Sequence, residues 1–377
     1  MGYSSPNPPV ACVIADLKGN ILSEGATRRA GENHAEREAY LKLGEKYTIP
    51  HILYVTLEPC SHFGRTPPCL DLILEKKPVR AVIGIPDPNP LVRARDGLKE
   101  LKNSGIEAVF SSEIAEISKT FLSGFISRIE RKRPRIFIKT ALSSEGFFTS
   151  QDKTRMQISN ESSNSAVQLL RSRMDAVLVG PGTVCRDAPS LNFRSAGLKT
   201  VKVDSHINDV FWSSLFEFSQ AGKWSFLNSG AEFYQPWRVF IVSSELFPDQ
   251  AFFEKQKQIN TETGSRKCLF FTLGNMDAER LEQMENVSAH AGCIQMKRFD
   301  GLLENLAERG ISNLLAEGGN YVYKNISNLL EPEDQIIKIR TDFRIQGGIS
   351  PEISKETASE FFSFDVGSDH WEIRKIR

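Results

Sequence analysis

Residues 57–69 read LEPCSHFGRTPPC, and the tripeptide His34-Ala35-Glu36 stands upstream of them. Together they offer one imidazole, on His34, and two thiols, on Cys60 and Cys69, which are ligands that Zn²⁺ takes in proteins. A zinc ion held by these three side chains keeps one open position, where a water is acidified toward neutral pH. Glu36 is then free to take the proton of that water and pass it to a ring nitrogen and to departing ammonia. The pattern predicts hydrolytic deamination, with Glu36 catalytic and His34, Cys60 and Cys69 as metal ligands.

Two other interpretations of these residues stay open. In the first, Cys60 and Cys69 are ordinary buried thiols and His34 is a residue at a helix end. In the second, the cluster is a structural zinc site that takes His62 as its fourth ligand. Short motifs carry a false-positive risk, and the gap between the cysteines is wider than the P-C-x-x-C of most zinc deaminases. We favour the catalytic interpretation, because a structural site leaves Glu36 without a role.

The run from Leu57 to Cys69 closely resembles the zinc loop of the bifunctional riboflavin biosynthesis deaminase/reductase family. The resemblance puts the metal ligands on His34, Cys60 and Cys69 and the proton shuttle on Glu36. It implies an α/β fold whose N-terminal domain is a cytidine-deaminase-like, three-layer α/β/α structure. One departure lies after residue 92, where the family's glycine-rich step is replaced by RARDG at residues 93–97. This change predicts an altered grip on the phosphate of the substrate.

The size and charge of the chain limit the classes of protein to which it can belong. A chain of 377 residues exceeds the usual size of a single core, so two domains are expected. Its 47 basic and 47 acidic residues leave no basic surplus, which argues against a polynucleotide deaminase. A hydrophobic fraction of 40% is that of an ordinary globular protein. We therefore expect a small-molecule enzyme that binds neither nucleic acid nor membrane.

The sequence also predicts a cytoplasmic location. No stretch approaches the apolar length that spans a bilayer, and the first residues lack the basic and apolar regions of a signal peptide. Six cysteines in so long a chain fit a reducing compartment, where thiolates stay free to bind metal.

The first third of the chain alternates strand and helix patterns. A hairpin is predicted over Val10–Ala15 and Ile21–Gly25. Helices and strands are predicted to follow it over 34–43, 52–57, 69–76, 81–85, 93–103 and 107–110. This alternation indicates a mostly parallel sheet covered on both faces. Because residues two apart do not share a helix face, His34 and Glu36 can converge only at the mouth of a helix.

A charged stretch, residues 128–135, is interpreted as a solvated linker between a deaminase domain over 1–130 and a reductase domain over 131–377. Beyond it, strands are predicted over Ile136–Leu142, Ala176–Gly180 and Asn313–Ala316. The sequence from Phe211 to Trp237 is rich in aromatic residues, and we expect it to serve packing or self-association rather than catalysis.

The second half has no G-x-G-x-x-G motif, and a lone Gly-Gly after a strand is more often a turn than a cofactor site. The order of its pieces, from Lys139-Thr140-Ala141 to Glu317-Gly318-Gly319, resembles the reductase half of the same family. The resemblance implies a dihydrofolate-reductase-like α/β domain that uses NADPH. It places the cofactor against Ala141, Thr183, Asp187, Gly318 and Gly319. It places the sugar-phosphate substrate against Arg171, Leu191, Arg194 and Glu317, and arginine suits a phosphate because its planar guanidinium offers several donors.

The predicted function is therefore two consecutive steps of riboflavin biosynthesis. The N-terminal domain is expected to deaminate 2,5-diamino-6-ribosylamino-4(3H)-pyrimidinone 5′-phosphate with Zn²⁺. The C-terminal domain is expected to reduce the ribosyl group to ribityl with NADPH, and the protein is expected to form a homo-oligomer, a dimer or a tetramer. One alternative keeps the deaminase but treats the second domain as a degenerate binding or oligomerisation module. Another is a non-enzymatic interaction protein stabilised by zinc.

Overall fold

The computed structural model describes residues 2–90, 95–151, 156–194, 198, 201–203, 207–220, 234–289, 293–351 and 358–376. The chain divides into two compact units, an N-terminal unit that contains Tyr3–Arg133 and a C-terminal unit that contains Pro134–Arg377. Within the described ranges, no helix has the length and apolar character needed to cross a membrane.

The N-terminal unit is a five-stranded sheet with helices packed on it. Its strands are β1 (Ala11–Asp16), β2 (Ile21–Ala26), β3 (His51–Leu57), β4 (Arg80–Ile85) and β5 (Glu107–Phe110). Its helices are α1 (Ala35–Leu43), α2 (Cys69–Lys76), α3 (Gly97–Asn103) and α4 (Ser112–Glu130), with a short 3₁₀ helix at Gly44–Thr48. The predicted hairpin is confirmed, since β1 and β2 pair in antiparallel fashion.

The strand order in this sheet is β2-β1-β3-β4-β5. β1 is antiparallel to both of its neighbours, whereas β3, β4 and β5 run parallel to one another. The expectation of a mostly parallel sheet is therefore wrong for this unit, because the N-terminal hairpin adds two antiparallel pairings at one edge. The parallel part leaves the carboxyl ends of β3 and β4 side by side, where active sites of α/β sheets usually form.

The C-terminal unit is built on a nine-stranded sheet. Its strands are β6 (Arg135–Leu142), β8 (Ala176–Val179), β9 (Trp237–Ser243), β10 (Cys268–Leu273), β11 (Cys293–Met296), β12 (Asn313–Glu317), β13 (Gln335–Arg340), β15 (Ala358–Val366) and β16 (Asp369–Ile376). β7 (Thr149–Ser150) and β14 (Gly348–Ile349) form a separate small ribbon. The helices are α5 (Glu161–Arg173), α6 (Pro181–Asp187), α7 (Val210–Gln220), α8 (Gln250–Thr263), α9 (Ala278–Val287), α10 (Phe299–Glu308) and α11 (Asn320–Ser327).

The order of the large sheet is β11-β10-β9-β8-β12-β6-β13-β16-β15. The strands from β11 to β13 are parallel, and β16 and β15 add two antiparallel pairings at one edge. β8 and β12 are buried at every residue, as expected for parallel strands with helices on both faces. The position of β12 between β8 and β6 sets the geometry of the C-terminal site, because it brings Glu317 beside residues that are distant in sequence.

The charged stretch at 128–135 contains the boundary between the two units, and Arg131 and Lys132 in it are exposed, but the prediction that the whole stretch is solvated is wrong. Residues 128–130 finish α4, and Arg135 opens β6 with only 2% of its surface exposed. The guanidinium of Arg135 lies 4.6 Å from the ring centre of Phe137, and its Nε donates to the carbonyl of Glu333 at 2.7 Å. An arginine stem packs readily on apolar surface when its head finds acceptors, so a run of basic residues need not be exposed.

The aromatic segment beginning at Phe211 serves packing in the part that the structure describes. Trp212, on α7, is fully buried, and its indole N–H donates to Gln335 Oε1 at 2.9 Å. Its ring packs against Trp371 with ring centres 6.2 Å apart. The packing part of the prediction is thus confirmed for this helix, and residues 221–233 lie outside the described ranges.

Candidate active sites

The four residues predicted to carry deamination are positioned by two helix N-termini and one loop. His34 is the N-cap of α1, with extended backbone angles, and its carbonyl accepts the N–H of Glu38 at 3.0 Å. Glu36 lies in the first turn of the same helix. Cys60 follows β3, and Cys69 is the first residue of α2. The expectation that His34 and Glu36 meet at a helix mouth is confirmed.

The imidazole and the two thiols converge. The Nδ1 atom of His34 lies 3.5 Å from the Sγ atom of Cys60 and 3.4 Å from that of Cys69. Tetrahedral zinc, with bonds of about 2.3 Å to sulfur and about 2.0 Å to nitrogen, separates such ligand atoms by about 3.5 Å. The donor set therefore fits zinc in both chemistry and spacing.

His62 does not complete this cluster. In the described part of the chain, the ligand atoms that lie within 4.8 Å of one another belong to His34, Cys60 and Cys69, without a fourth. A structural zinc site that includes His62 is thus not what the fold builds. Three protein ligands leave a coordination position open, as catalytic zinc sites do.

Glu36 is a buried carboxyl group beside the thiols, with 4% of its surface exposed. Burial raises the pKa of Glu36 to about 7, and the neighbouring Cys60 adds to the rise. A hydrogen bond with the Cys69 thiol opposes this shift in the pKa. A carboxyl group with a pKa near neutrality can both accept and return a proton, which general acid–base catalysis needs.

The two thiols differ in the direction of their pKa shifts. Hydrogen bonds from Cys69 and His34 lower the pKa of Cys60 to about 4, whereas the pKa of Cys69 is raised well above its usual value by Cys60 and by burial. The hydrogen bond to Cys60 also raises the pKa of His34. A cation bound here would meet Cys60 as a thiolate and would displace the proton of Cys69, since thiolate is the form of cysteine that binds metal.

A second layer of contacts holds the ligand loop. The Nε2 atom of His34 lies 3.5 Å from Thr66 Oγ1, so the ring nitrogen that points away from the thiols also has a polar neighbour. The Ser61 hydroxyl accepts the backbone N–H of Arg95 at 2.9 Å, and Arg95 in turn pairs with Glu100 and contacts Asp71. The altered step predicted at 93–97 lies partly outside the described ranges, because residues 91–94 are not among them.

The C-terminal unit contains a cavity of about 840 Å³ at the carboxyl ends of β6, β8 and β12. All nine residues that the resemblance selected line it: Ala141, Thr183, Asp187, Gly318, Gly319, Arg171, Leu191, Arg194 and Glu317. Gly318 has φ +127°, in the region that favours glycine, and a Cβ there would lie 3.1 Å from Thr183 Oγ1. A ligand can thus approach the backbone at this point.

Glu317 is the electrostatic centre of this cavity. Arg171 donates to its two carboxylate oxygens, from Nε at 2.7 Å and from Nη2 at 3.0 Å, and Lys139 Nζ lies 3.7 Å from Oε2. Burial alone would raise the pKa of Glu317, but Arg171 and Lys139 outweigh burial and hold its pKa at about 2. The carboxylate is therefore charged at neutral pH and occupies the guanidinium fork of Arg171.

Sequence reasoning did not single out Lys139, Gln168 or Arg186 as site residues, although all three line the cavity. Lys139 sits directly beside Glu317 in the register of β6 and β12. The Gln168 side chain accepts the backbone N–H of Arg194 at 3.0 Å. A signal for Lys139 existed, since it is a charged residue within the otherwise apolar strand IFIKTAL, but no such signal marked the other two.

Comparison with known proteins agrees with this arrangement. Residues 1–85 match the cytidine and deoxycytidylate deaminase zinc-binding region, and residues 134–327 match the RibD C-terminal domain. A riboflavin biosynthesis protein RibD of Chlamydia trachomatis is 30% identical over 320 residues, which cover 84% of this chain and 74% of that protein. The chain belongs to the RibD family. The predicted fold class, a cytidine-deaminase-like domain followed by a reductase domain of α/β type, is thereby confirmed.

Other RibD relatives match over shorter segments. RibD of Actinobacillus pleuropneumoniae is 39% identical over 199 residues, 53% of this chain and 52% of that protein, so the chain spans about half the length of this relative. A solved structure from Thermotoga maritima, described as a diaminohydroxyphosphoribosylaminopyrimidine deaminase/5-amino-6-(5-phosphoribosylamino)uracil reductase, is 25% identical. It superposes with a TM-score of 0.74 over 100% of this chain and 94% of that one. Acinetobacter baumannii RibD has the same fold, with a TM-score of 0.75 at 24% identity over 99% of this chain and 94% of that one.

Proposed function

We propose that this RibD-family protein is a bifunctional enzyme of riboflavin biosynthesis. Its N-terminal unit deaminates 2,5-diamino-6-ribosylamino-4(3H)-pyrimidinone 5′-phosphate, and its C-terminal unit reduces the ribosyl side chain of the product to ribityl with NADPH. The observation that carries the proposal is the convergence of His34, Cys60 and Cys69 beside a buried Glu36. The cavity around Glu317 supports the second activity.

In the deaminase step, His34, Cys60 and Cys69 hold Zn²⁺, which when bound supplies the Lewis acidity that activates water. Glu36 takes the proton from the water and delivers it to the ring nitrogen next to the reacting carbon. It then assists the departure of ammonia. Burial of Glu36 strengthens this role, because a carboxylate that lacks water has a stronger tendency to hold a proton.

In the reductase step, NADPH when bound would supply the hydride that adds to the reacting carbon of the open-chain ribosyl group, and solvent water would supply the proton that completes the reduction. The residues of the cavity bind and orient the two reactants rather than taking part in bond making. Arg194, which is near the cavity end that contains Glu317, offers a guanidinium for the substrate phosphate. Glu317 keeps Arg171 and Lys139 in place beside the reacting groups.

The proposal is tested by assaying both half-reactions on one purified sample whose zinc content has been measured. We expect ammonia release from the diamino substrate, and we expect loss of nicotinamide absorbance when the deaminated product and NADPH are supplied. Absence of ammonia release from zinc-loaded protein would contradict the deaminase. Unchanged absorbance would instead favour the alternative in which the C-terminal unit is a degenerate binding or oligomerisation module. The intact ion pairs of Lys139 and Arg171 with Glu317 argue against that alternative.

Replacing Cys69 by Ser should remove zinc and destabilise the N-terminal unit, because the cluster loses one of three ligands and a hydroxyl is a poor ligand for zinc. The measurement is metal content after dialysis together with thermal unfolding followed by circular dichroism. Cys12→Ala is the matched control, since Cys12 is a buried thiol of the same unit that is not in the cluster. Zinc content equal to that of the wild type in Cys69→Ser would exclude Cys69 as a ligand.

The remaining expectations concern partners and location. A phosphorylated pyrimidine is the substrate that the proposed chemistry requires. A dimer or tetramer and a cytoplasmic location stay predictions, to be tested by light scattering and by cell fractionation.

A further inference from the structure

Arg186, at the end of α6, differs in position from the other cations of the C-terminal cavity. It lines both the main cavity and a smaller one of about 220 Å³, whose other lining residues include Gly180 and Tyr321. Phe148, Thr149, Thr183 and Gly319 also line both spaces, so the two adjoin along this wall. Arg186 therefore lies where the two spaces adjoin, within reach of a ligand that occupies both.

The other cations of the main cavity lie toward Glu317. Lys139 and Arg171 make ion pairs with this carboxylate. Burial lowers the pKa of the Arg194 guanidinium, the nearby Arg171 lowers it further and Glu317 opposes the shift, so Arg194 belongs to the same group of charges. Arg186 is different, since no carboxylate within the described ranges forms an ion pair with it. The cavity thus has one group of cations gathered around Glu317 and a separate cation at the junction with the smaller space.

The guanidinium of Arg186 is oriented by its own helix. Its Nε donates to the carbonyl of Gly182 at 2.9 Å. A Cβ on Gly182 would lie 2.5 Å from Arg186 Nη2, so the guanidinium packs directly on the glycine backbone. Any side chain at position 182 would have to displace it. The Nη donors have no acceptor among the described residues and remain available to a ligand.

The position of the substrate fixes which end of a bound dinucleotide lies near Glu317. Hydride transfer requires the nicotinamide to contact the substrate, and the substrate phosphate needs the cations near Glu317. The adenosine end of the cofactor is then directed away from Glu317, toward the smaller cavity and Arg186. NADPH differs from NADH by a phosphate at the 2′ position of the adenosine ribose, and in Rossmann folds, which are unrelated to this one, an arginine accommodates that phosphate.

Building on the proposed reductase activity, we propose that Arg186 binds the 2′-phosphate of NADPH and determines the preference of this enzyme for NADPH over NADH. The planar guanidinium can donate two parallel hydrogen bonds to the phosphate oxygens, and its charge complements the dianion. Arg186 is thus a specificity residue that does not take part in the chemistry itself.

The test compares dissociation constants of NADPH, NADH and adenosine 2′,5′-bisphosphate, measured by titration calorimetry on the full chain without substrate. Arg186→Gln should raise the dissociation constants of NADPH and of the bisphosphate by about 10-fold to 100-fold, as expected for loss of charge-assisted hydrogen bonds. The dissociation constant of NADH should stay unchanged. Arg186→Lys should bind NADPH with intermediate affinity, because it keeps the charge but not the fork. Arg298→Gln, at an exposed arginine outside this cavity, is the control and should change none of the three dissociation constants.

Two results would overturn the inference while leaving the reductase intact. One is an Arg186→Gln protein that binds NADPH as tightly as the wild type. The other is an equal loss of affinity for NADPH and NADH, which would mean that Arg186 contacts a part common to both. A wild-type protein that binds neither dinucleotide would overturn the proposed reductase and this inference together.

Discussion

Glu36→Gln should lower the rate of ammonia release by about 10²-fold to 10⁴-fold, the contribution usual for a positioned general acid–base group. The amide is nearly isosteric with the carboxyl group but cannot take a proton from water. Since His34, Cys60 and Cys69 are untouched, zinc content should equal that of the wild type. Reduction of the deaminated product should also be unchanged, because the proposed reductase residues lie in the C-terminal unit.

Glu38→Gln is the matched control for this variant. Glu38 lies on the same helix two residues further along, but its carboxylate pairs with Arg28 rather than with the thiols. Its ammonia release should stay close to that of the wild type. If Glu36→Gln kept its zinc and full deaminase turnover, the proton-shuttle role would be wrong. That result would also revive the alternative of an interaction protein that uses zinc for stability alone.

Glu317→Gln should lower the free energy of unfolding of the C-terminal unit by about 3 kcal/mol. Removing the charge leaves the buried Arg171 and the half-buried Lys139 as two cations that lack their common counter-ion. The loss lies at the lower end of the usual range for a broken buried ion pair, because this group borders a cavity of about 840 Å³. All four tryptophans, at positions 212, 224, 237 and 371, belong to this unit, so tryptophan fluorescence in urea reports on its unfolding alone.

The same variant makes a prediction about pH. The pKa of Glu317 is about 2 in the folded protein and near 4.5 when the chain is unfolded, so its stabilising effect is complete above pH 4.5. The effect is lost as the pH falls from there through 2, and wild type and variant should then converge. Glu254→Gln is the control, since Glu254 pairs with Lys257 at the surface of the same unit and should change the urea midpoint little. A midpoint for Glu317→Gln that equals the wild-type value at pH 7 would contradict the assigned ion-pair geometry.

Much of the N-terminal site could be predicted from local sequence. The ligand types of His34, Cys60 and Cys69 are set by covalent chemistry, and the helix that begins after His34 and the one that begins at Cys69 follow from short-range patterns. The hairpin at β1 and β2 was equally predictable, because a turn and two apolar runs are adjacent in the chain. The mixture of parallel and antiparallel strands in this sheet could not be predicted in the same way, because whether β3 runs parallel or antiparallel to β1 depends on how the helices pack.

The C-terminal site was far less accessible to such reasoning. Its nine expected residues came from a family resemblance, and their common cavity depends on β12 entering the sheet between β8 and β6. Arg135 is a second example of a feature that local sequence does not predict. Its charge predicted an exposed side chain, whereas the guanidinium is buried against the rings of Phe137 and Phe211 and its Nε donates to a backbone carbonyl. Local patterns predict which segments are strands but do not predict their order.

The chemistry of the metal cluster, the expectation of two domains and most of the secondary structure follow from the amino-acid sequence, since they depend on residue type and on neighbours within a few positions. That Glu317 faces Lys139 and Arg171, and that Arg186 lies apart from them, becomes visible in the folded protein alone. These contacts join strands and helices that are far apart in the chain. Their relative placement follows from burying many apolar side chains at once, and no short segment records it.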